Sequence, residues 1–463
     1  MKILGHIFYR YLWVVFNIFL GYFYRYRRLK HTIGMENIPN DRPILLCCNH
    51  PNALIDALLL GSTIQRRTWF LARSDVFRKK PLAIFLGFVG IIPIYRLLEG
   101  AEHLSKNDIT FDRCYKMLSD NKSIIIYSEG LCVQERRLRK LKKGTARIAF
   151  YAEEKADFKL NLTIVPVGIN YSATPWKFRK SMHIRIGKPF EVKKYEELYR
   201  SDKARTINLF TSDLEIAMAE QLIIIDNKAN DTLVAQLEEI FIKKWAVEQK
   251  IDSKNQSLTH QLTRQITHLL RAAENESLEP IALLREKCYN YFNKLNSLQV
   301  RDWVLEKNGI KAISRFGLFV NYFIFLICLP IFIAGVVTNY IPYKIPSLIA
   351  PSLIGKKVVK QIEFNASINV ALSLFLWQIY WLLQSLVVAL AFRNWYVLTV
   401  FMILVPITGL IAQELIVLLK KSNGVMRFLA SKNKNRVEEL VNRRKEIVAD
   451  VELLKLKFPL VNE

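Results

Sequence analysis

Acidic residues are scarce in this chain: 41 aspartates and glutamates stand against 67 lysines and arginines, a formal net charge of +26. That excess suits an anionic partner, and with no nucleic-acid-binding motif anywhere in the sequence, nucleic acid is set aside in favour of the membrane surface. Cysteines are few and scattered. Cys47, Cys48, Cys114, Cys132, Cys288 and Cys328 show neither metal-ligand nor redox spacing, so no metal site and no disulfide scaffold is expected. With no cleavable signal, this usage fits a reducing compartment. No internal repeat and no low-complexity linker interrupts the chain. Charge is missing altogether from Phe316 to Tyr343, from Phe364 to Phe392 and from Asn394 to Gln413. Each stretch reaches or exceeds the roughly 20 residues that cross a bilayer.

Among what is present, one segment carries chemistry. Arg42-Pro43-Ile44-Leu45-Leu46-Cys47-Cys48 is a short apolar run of the kind that makes a buried strand, and Leu54, Ala57, Leu58 and Leu59 give the segment after it a helical apolar face. Between them lies Asn49-His50-Pro51-Asn52-Ala53-Leu54-Ile55-Asp56. This places a histidine at a strand's end, with Pro51 suited to the first helical position. With one ring nitrogen bonded to Asp56, His50 could take a proton from a hydroxyl through the other. Six residues along a straight helix is about 600° of rotation, so the two side chains meet only if His50 lies in the loop before the helix. The bland alternative is a capping histidine beside a structural acid. Cys47 and Cys48 raise a thiol nucleophile, but side chains alternate along a strand, so one of the two points into a core, where cysteine is commonly buried.

Three later stretches give His50 its context. Gly90-Ile91-Ile92-Pro93-Ile94-Tyr95-Arg96 ends an apolar run with an arginine, Ser123-Ile124-Ile125-Ile126-Tyr127-Ser128-Glu129-Gly130 ends a second with an acid and a glycine, and Leu162-Thr163-Ile164-Val165-Pro166-Val167-Gly168 is a third, interrupted by proline. In this order, over roughly residues 35 to 195, they resemble the four blocks of the glycerolipid acyltransferase family, which includes lysophosphatidate and glycerol-phosphate acyltransferases. The resemblance implies that His50 is the general base, oriented by Asp56 and preceded by Asn49. It further implies that Arg96 binds phosphate, that Glu129 and Gly130 form the third block, and that Pro166 shapes the acyl-donor site. Two departures stand out. Pro51 to Ile55 puts five residues between His50 and Asp56 where four are common, a spacing like that of the fungal glycerol-phosphate branch. Gly130 is followed by Leu131-Cys132-Val133 and a basic run from Arg136 to Lys140 instead of Gly-Thr-Arg-Ser. Lys142-Lys143-Gly144 then resembles the family's basic-glycine stretch. Arg136 and Lys142 are therefore second candidates for the acceptor's anion.

The fold expected is α/β, an acyltransferase-type central sheet flanked by helices, with a helical insertion and a C-terminal membrane-embedded helical region. We expect an interfacial membrane-associating helix over 1–30, the acyltransferase domain over 31–200, a helical region over 201–312 that packs against it, a transmembrane region over 313–420 and a basic helical tail over 421–463. Tyr11 to Tyr24 is aromatic-rich but short and flanked by Arg10, Arg25, Arg27 and Arg28, which suits a helix lying in the interface. Pro330 and Pro406 are candidate kinks, Arg393-Asn394 is a very short link, and Pro342 to Val359 is a candidate fourth embedded piece. Val437, Leu440, Val441, Ile447, Val448, Val451 and Leu454 form a heptad-like stripe, suited to a coiled coil or a docked helix. The basic flanks place the catalytic domain on the cytoplasmic face of an integral membrane protein. The resemblance implies transfer of a fatty acyl group from acyl-CoA or acyl carrier protein to glycerol 3-phosphate or 1-acylglycerol 3-phosphate in phospholipid biosynthesis, with no further cofactor. Its partners are then the acyl thioester donor, the glycerol-phosphate or lysophospholipid acceptor and membrane lipids. The alternative is an inactive lipid-binding or scaffold protein of the same fold.

Overall fold

The computed structural model describes residues 2–24, 26, 31–95, 107–172, 182–252, 256–306, 315–353, 362–430 and 434–459. The chain divides into two compact units, Met1–Ile224 with Lys356–Ile368, and Ile225–Gly355 with Asn369–Glu463.

The first unit is built on strands β1 (Thr32–Ile33), β2 (Ile44–Cys48), β3 (Thr68–Arg73), β4 (Ile91–Ile94), β5 (Ser123–Tyr127), β6 (Thr163–Tyr171), β7 (Met182–Ile186) and β8 (Phe190–Glu191). They form one sheet in the order β1-β7-β6-β2-β5-β3-β4, with β8 also paired to β6. β2 runs parallel to both of its neighbours, β5 and β6, whereas β6 pairs antiparallel with β7 and β8. Every residue of β2 is buried, as a central parallel strand covered on both faces requires. Register then decides which strand ends meet: Cys48 lies opposite Tyr127 of β5 and Val167 of β6.

Seven helices of this unit are α1 (Lys2–Tyr24), α2 (Ala53–Thr63), α3 (Lys80–Phe88), α4 (Asn107–Ser119), α5 (Gly144–Lys155), α6 (Glu196–Ser201) and α7 (Lys203–Ala219). On one face of the sheet Leu45, Cys47, Ile124, Ile126 and Ile164 pack with Leu118 of α4, Phe150 of α5 and Phe210 of α7. Fully burying a large side chain of this kind contributes about 1.5–3 kcal/mol, so the two phenylalanines anchor that layer. α2 and α1 pack together, with Asn17 donating its Nδ2–H to the Ser62 carbonyl at 3.2 Å. Leu20 of α1 is fully buried, while Tyr11, Val14 and Ile18 are exposed. α2 begins at Ala53 and not at Pro51, because Asn52 takes the extended conformation of an N-cap. Pro51 therefore lies in the loop.

The second unit is helical: α8 (Asp231–Glu248), α9 (Gln256–Glu276), α10 (Glu279–Ser297), α11 (Arg315–Ile327), α12 (Leu329–Leu353), most of α13 (Ile362–Phe392), α14 (Trp395–Ala430) and α15 (Lys434–Lys457). Leu440, Ile447 and Val451 of α15 are buried in one core with Trp245, Leu262, Tyr291 and Phe292. The stripe is thus a docked helix. The helices over 231–297 build their core with α15. Asp302 sits in this unit, 1% exposed, and accepts from the Tyr291 hydroxyl at 2.6 Å and from Arg444 Nε and Nη2 at 2.8 and 3.0 Å.

Among the described residues, two helical segments are long and apolar enough to cross a membrane, Ser367–Phe392 and Trp395–Ala430, or up to three if α11 and Leu329–Ala350, bent by 59°, form one span. The chain is membrane-associated on this ground. The bend falls at Cys328, beside Pro330 at the start of α12, whereas Pro406 lies inside a continuous α14. At Arg393 the backbone turns through φ 45°, and Asn394 caps the next helix by accepting from Tyr396 N–H at 2.8 Å. Of Pro342 to Val359, residues 342–353 belong to α12 and the rest lie outside the described residues. Gly335 lets α12 and α14 approach closely, since a Cβ there would stand 2.3 Å from the Thr408 carbonyl oxygen.

Candidate active site

The loop from β2 to α2 carries His50, and it is pinned on several sides. Asn49, 5% exposed, bridges to β6 by donating to the Ile169 carbonyl at 3.0 Å and accepting from Ile169 N–H at 2.7 Å. His50 donates its backbone N–H to Glu129 Oε1 at 3.1 Å, and its carbonyl accepts from Val133 N–H at 3.1 Å. The segment after β5 thus holds the histidine backbone at both ends. Its ring stacks on Tyr127, with centroids 3.7 Å apart and planes 15° from parallel.

The ring meets Asp56 as the loop geometry demands. His50 Nδ1 lies 2.9 Å from Asp56 Oδ2, although the residues are six apart, because His50 is outside the helix and Asp56 is in its first turn. Asp56 is fully buried. Its Oδ2 also accepts from Asn52 N–H at 2.6 Å, and its Oδ1 accepts from the Tyr171 hydroxyl at 2.5 Å. Burial pushes the Asp56 carboxyl above its ordinary value, against the pull of His50, Tyr171 and Asn52. Those donors favour the ionised form. With Nδ1 committed to Asp56, the other nitrogen, Nε2, is the one available to accept a proton, and the side chain is 18% exposed.

Glu129 is the second buried carboxylate here. It is 6% exposed, and burial raises its pKa to about 7 despite backbone donors from His50 and Arg139. Gly130 follows in the left-handed region at φ 67°, where a Cβ would also press on Lys142 Cγ at 3.1 Å. Both Cys47 and Cys48 are fully buried, and burial drives their thiols far above the ordinary range. Neither is a thiolate in reach of a substrate.

The site residues expected from the sequence fall into four groups. Asn49, His50, Asp56, Glu129 and Gly130 come together. Arg136 reaches the rim, with Nη2 at 3.5 and 3.4 Å from the carbonyls of Tyr171 and Ser172; Lys142 is exposed beside Gly130, and Gly144 opens α5. Pro166 is not brought to His50. It pairs with Cys47, whose side chain faces the α4–α5–α7 layer, and alternation along β6 puts Pro166 on the face opposite Tyr171. Arg96 lies outside the described residues. Sequence reasoning did not single out Tyr171, Asn52, Tyr127 or Ser367, whose Oγ accepts from Leu54 N–H at 2.9 Å. Tyr127 had a signal, since it stands at the end of an apolar strand beside Glu129.

A histidine–aspartate pair at the end of a buried parallel strand, with Cys47 and Cys48 both buried, is an arrangement that can activate a hydroxyl. Residues 31–170 match the model of the Acyltransferase family. That stretch is therefore an acyltransferase domain. Among solved structures, the chain is similar to the crystal structure of the 1-acyl-sn-glycerophosphate (LPA) acyltransferase PlsC from Thermotoga maritima, with 18% identity, a TM-score of 0.28, and coverage of 40% of this chain and 71% of that one. No curated protein matches.

Proposed function

We propose that the chain is a membrane-bound enzyme of phospholipid biosynthesis that moves a fatty acyl group from acyl-CoA or acyl carrier protein to a hydroxyl of 1-acylglycerol 3-phosphate or glycerol 3-phosphate. The observation that carries this reading is the 2.9 Å contact between His50 Nδ1 and buried Asp56 inside the acyltransferase domain. His50 Nε2 removes the acceptor's hydroxyl proton as the oxygen attacks the thioester carbonyl, and Asp56 stabilises the imidazolium that forms. The tetrahedral intermediate collapses by breaking the carbon–sulfur bond. The proton passes from the imidazolium to the departing thiolate, so no covalent enzyme intermediate and no other cofactor is required. Glu129 supports the reaction indirectly by holding the His50 backbone. Arg96, Arg136 and Lys142 supply cationic charge for the acceptor's phosphate. The positive flanks of the apolar spans favour the cytoplasmic side for this domain.

The test offers both acceptors and both thioester donors to the purified protein in lipid nanodiscs and reads the products by lipid mass spectrometry. The expected product is phosphatidate or 1-acylglycerol 3-phosphate from one pairing. Absence of an acylated product from all four pairings would contradict the reading and leave a lipid-binding protein of the same fold.

A further inference from the structure

The amino terminus of α2 has an unusual cap. An N-cap asparagine ordinarily turns its own side-chain oxygen onto an N–H in the helix's first turn. Asn52 makes no such bond. The service is rendered instead by Ser367, far along the chain and the first residue of the apolar segment Ser367–Phe392. Ser367 Oγ accepts from Leu54 N–H at 2.9 Å and donates to Asn52 Oδ1 at 3.1 Å. Ser367, Asn52 and Asp56 are 6%, 0% and 0% exposed, so water does not substitute for any of these partners. Asn52 Nδ2 is buried without a hydrogen-bond partner among the described residues, which leaves Oδ1 as the amide's one anchor. The same Asn52 donates its backbone N–H to Asp56 Oδ2, the oxygen that holds His50.

We infer that Ser367 is a positioning residue for the His50–Asp56 pair, acting through Asn52 and the first turn of α2. This rests on the reading of His50 as general base. The physical link is short: the hydroxyl fixes the conformation of Asn52, the Asn52 N–H fixes one carboxylate oxygen, and that oxygen fixes the tautomer and plane of the imidazole. It lies well outside the family-matched residues 31–170, so the acyltransferase domain is completed by a residue from the start of a membrane-crossing segment.

The experiment uses full-length protein in nanodiscs and compares Ser367→Ala, Ser367→Thr and His50→Ala. Loss of the cap in Ser367→Ala should lower kcat about 10-fold, while KM for donor and acceptor stays within about twofold. The acid limb of its pH–rate profile should move to lower pH, because a less well held carboxylate favours the protonated imidazole less. Ser367→Thr keeps the hydroxyl and should retain most of the activity. Wild-type kcat and an unmoved acid limb in Ser367→Ala, with His50→Ala inactive, would overturn the inference alone. Equal losses in the alanine and threonine variants, accompanied by equal falls in melting temperature, would likewise overturn it in favour of a packing role. Wild-type turnover by folded His50→Ala would instead remove the general-base reading itself.

Discussion

Two buried aspartates, one in each unit, solve the same problem with different partners. Asp56 and Asp302 are 0% and 1% exposed, and each accepts a hydrogen bond from a tyrosine hydroxyl, Tyr171 at 2.5 Å and Tyr291 at 2.6 Å. The remaining partner differs. Asp302 is clamped in bidentate fashion by Arg444, a guanidinium that stays charged at every accessible pH, so the helical unit gains a permanent ion pair tying α15 to its core. Asp56 instead holds His50, an imidazole that keeps 18% of its side chain open. A buried carboxylate is therefore a lock where its partner is a fixed cation, and under the proposed function it orients a base where its partner is an imidazole. Removing a partner should damage stability in the one case and turnover in the other.

The largest effect belongs to the movable pair. Asp56→Asn keeps the shape but cannot select the right tautomer of His50, and we expect kcat to fall on the order of 1,000-fold with the melting temperature little changed. Steady-state assays beside thermal unfolding in detergent check both halves. Arg444→Met should do the reverse. Leaving Asp302 buried and unpaired costs about 3 kcal/mol of stability, with turnover per folded molecule unaltered. A loss of kcat in that variant would erase the contrast. Tyr171→Phe sharpens it, since it removes one donor from Asp56 and leaves His50 in place. We expect about a 10-fold drop in kcat, as one hydrogen bond to a buried charge is lost.

The smallest effect concerns Glu129, whose pKa burial raises from 4.5 to about 7. A carboxyl held above its unfolded value destabilises the fold when ionised, so its cost is full above about pH 7 and vanishes as pH falls toward 4.5. Glu129→Gln should therefore gain stability relative to wild type at pH 8, by about 1 kcal/mol after the amide's own burial is allowed for, and the gain should close by pH 5. Thermal unfolding at the two pH values reads the difference.

Much of the acyltransferase unit is written locally. The apolar run Ile44–Cys48 is the central strand, and His50 meets Asp56 because it stays outside the helix, the one arrangement that a six-residue separation allows. Gly130 sits at positive φ where a turn off β5 needs it. The membrane segments are legible from missing charge, and Pro330 marks the break beside Cys328. What escaped depends on relations that no local pattern contains. Tyr171 reaches Asp56 only because β6 pairs with β2 in the register that sets Val167 against Cys48. Pro166, five residues earlier on the same strand, is turned to the other face by the same pleat. Ser367 reaches Asn52 across 315 positions of sequence, a contact no local pattern announces. Pro406 interrupts nothing visible, for α14 runs through it.

If His50 moves the proton of the acceptor's hydroxyl, the steady-state turnover of folded His50→Ala in nanodiscs must show it. The variant should keep its melting temperature and lose roughly 100-fold to 10,000-fold in kcat, the share that a general base contributes. Turnover at the wild-type rate by a variant of unchanged stability would contradict it.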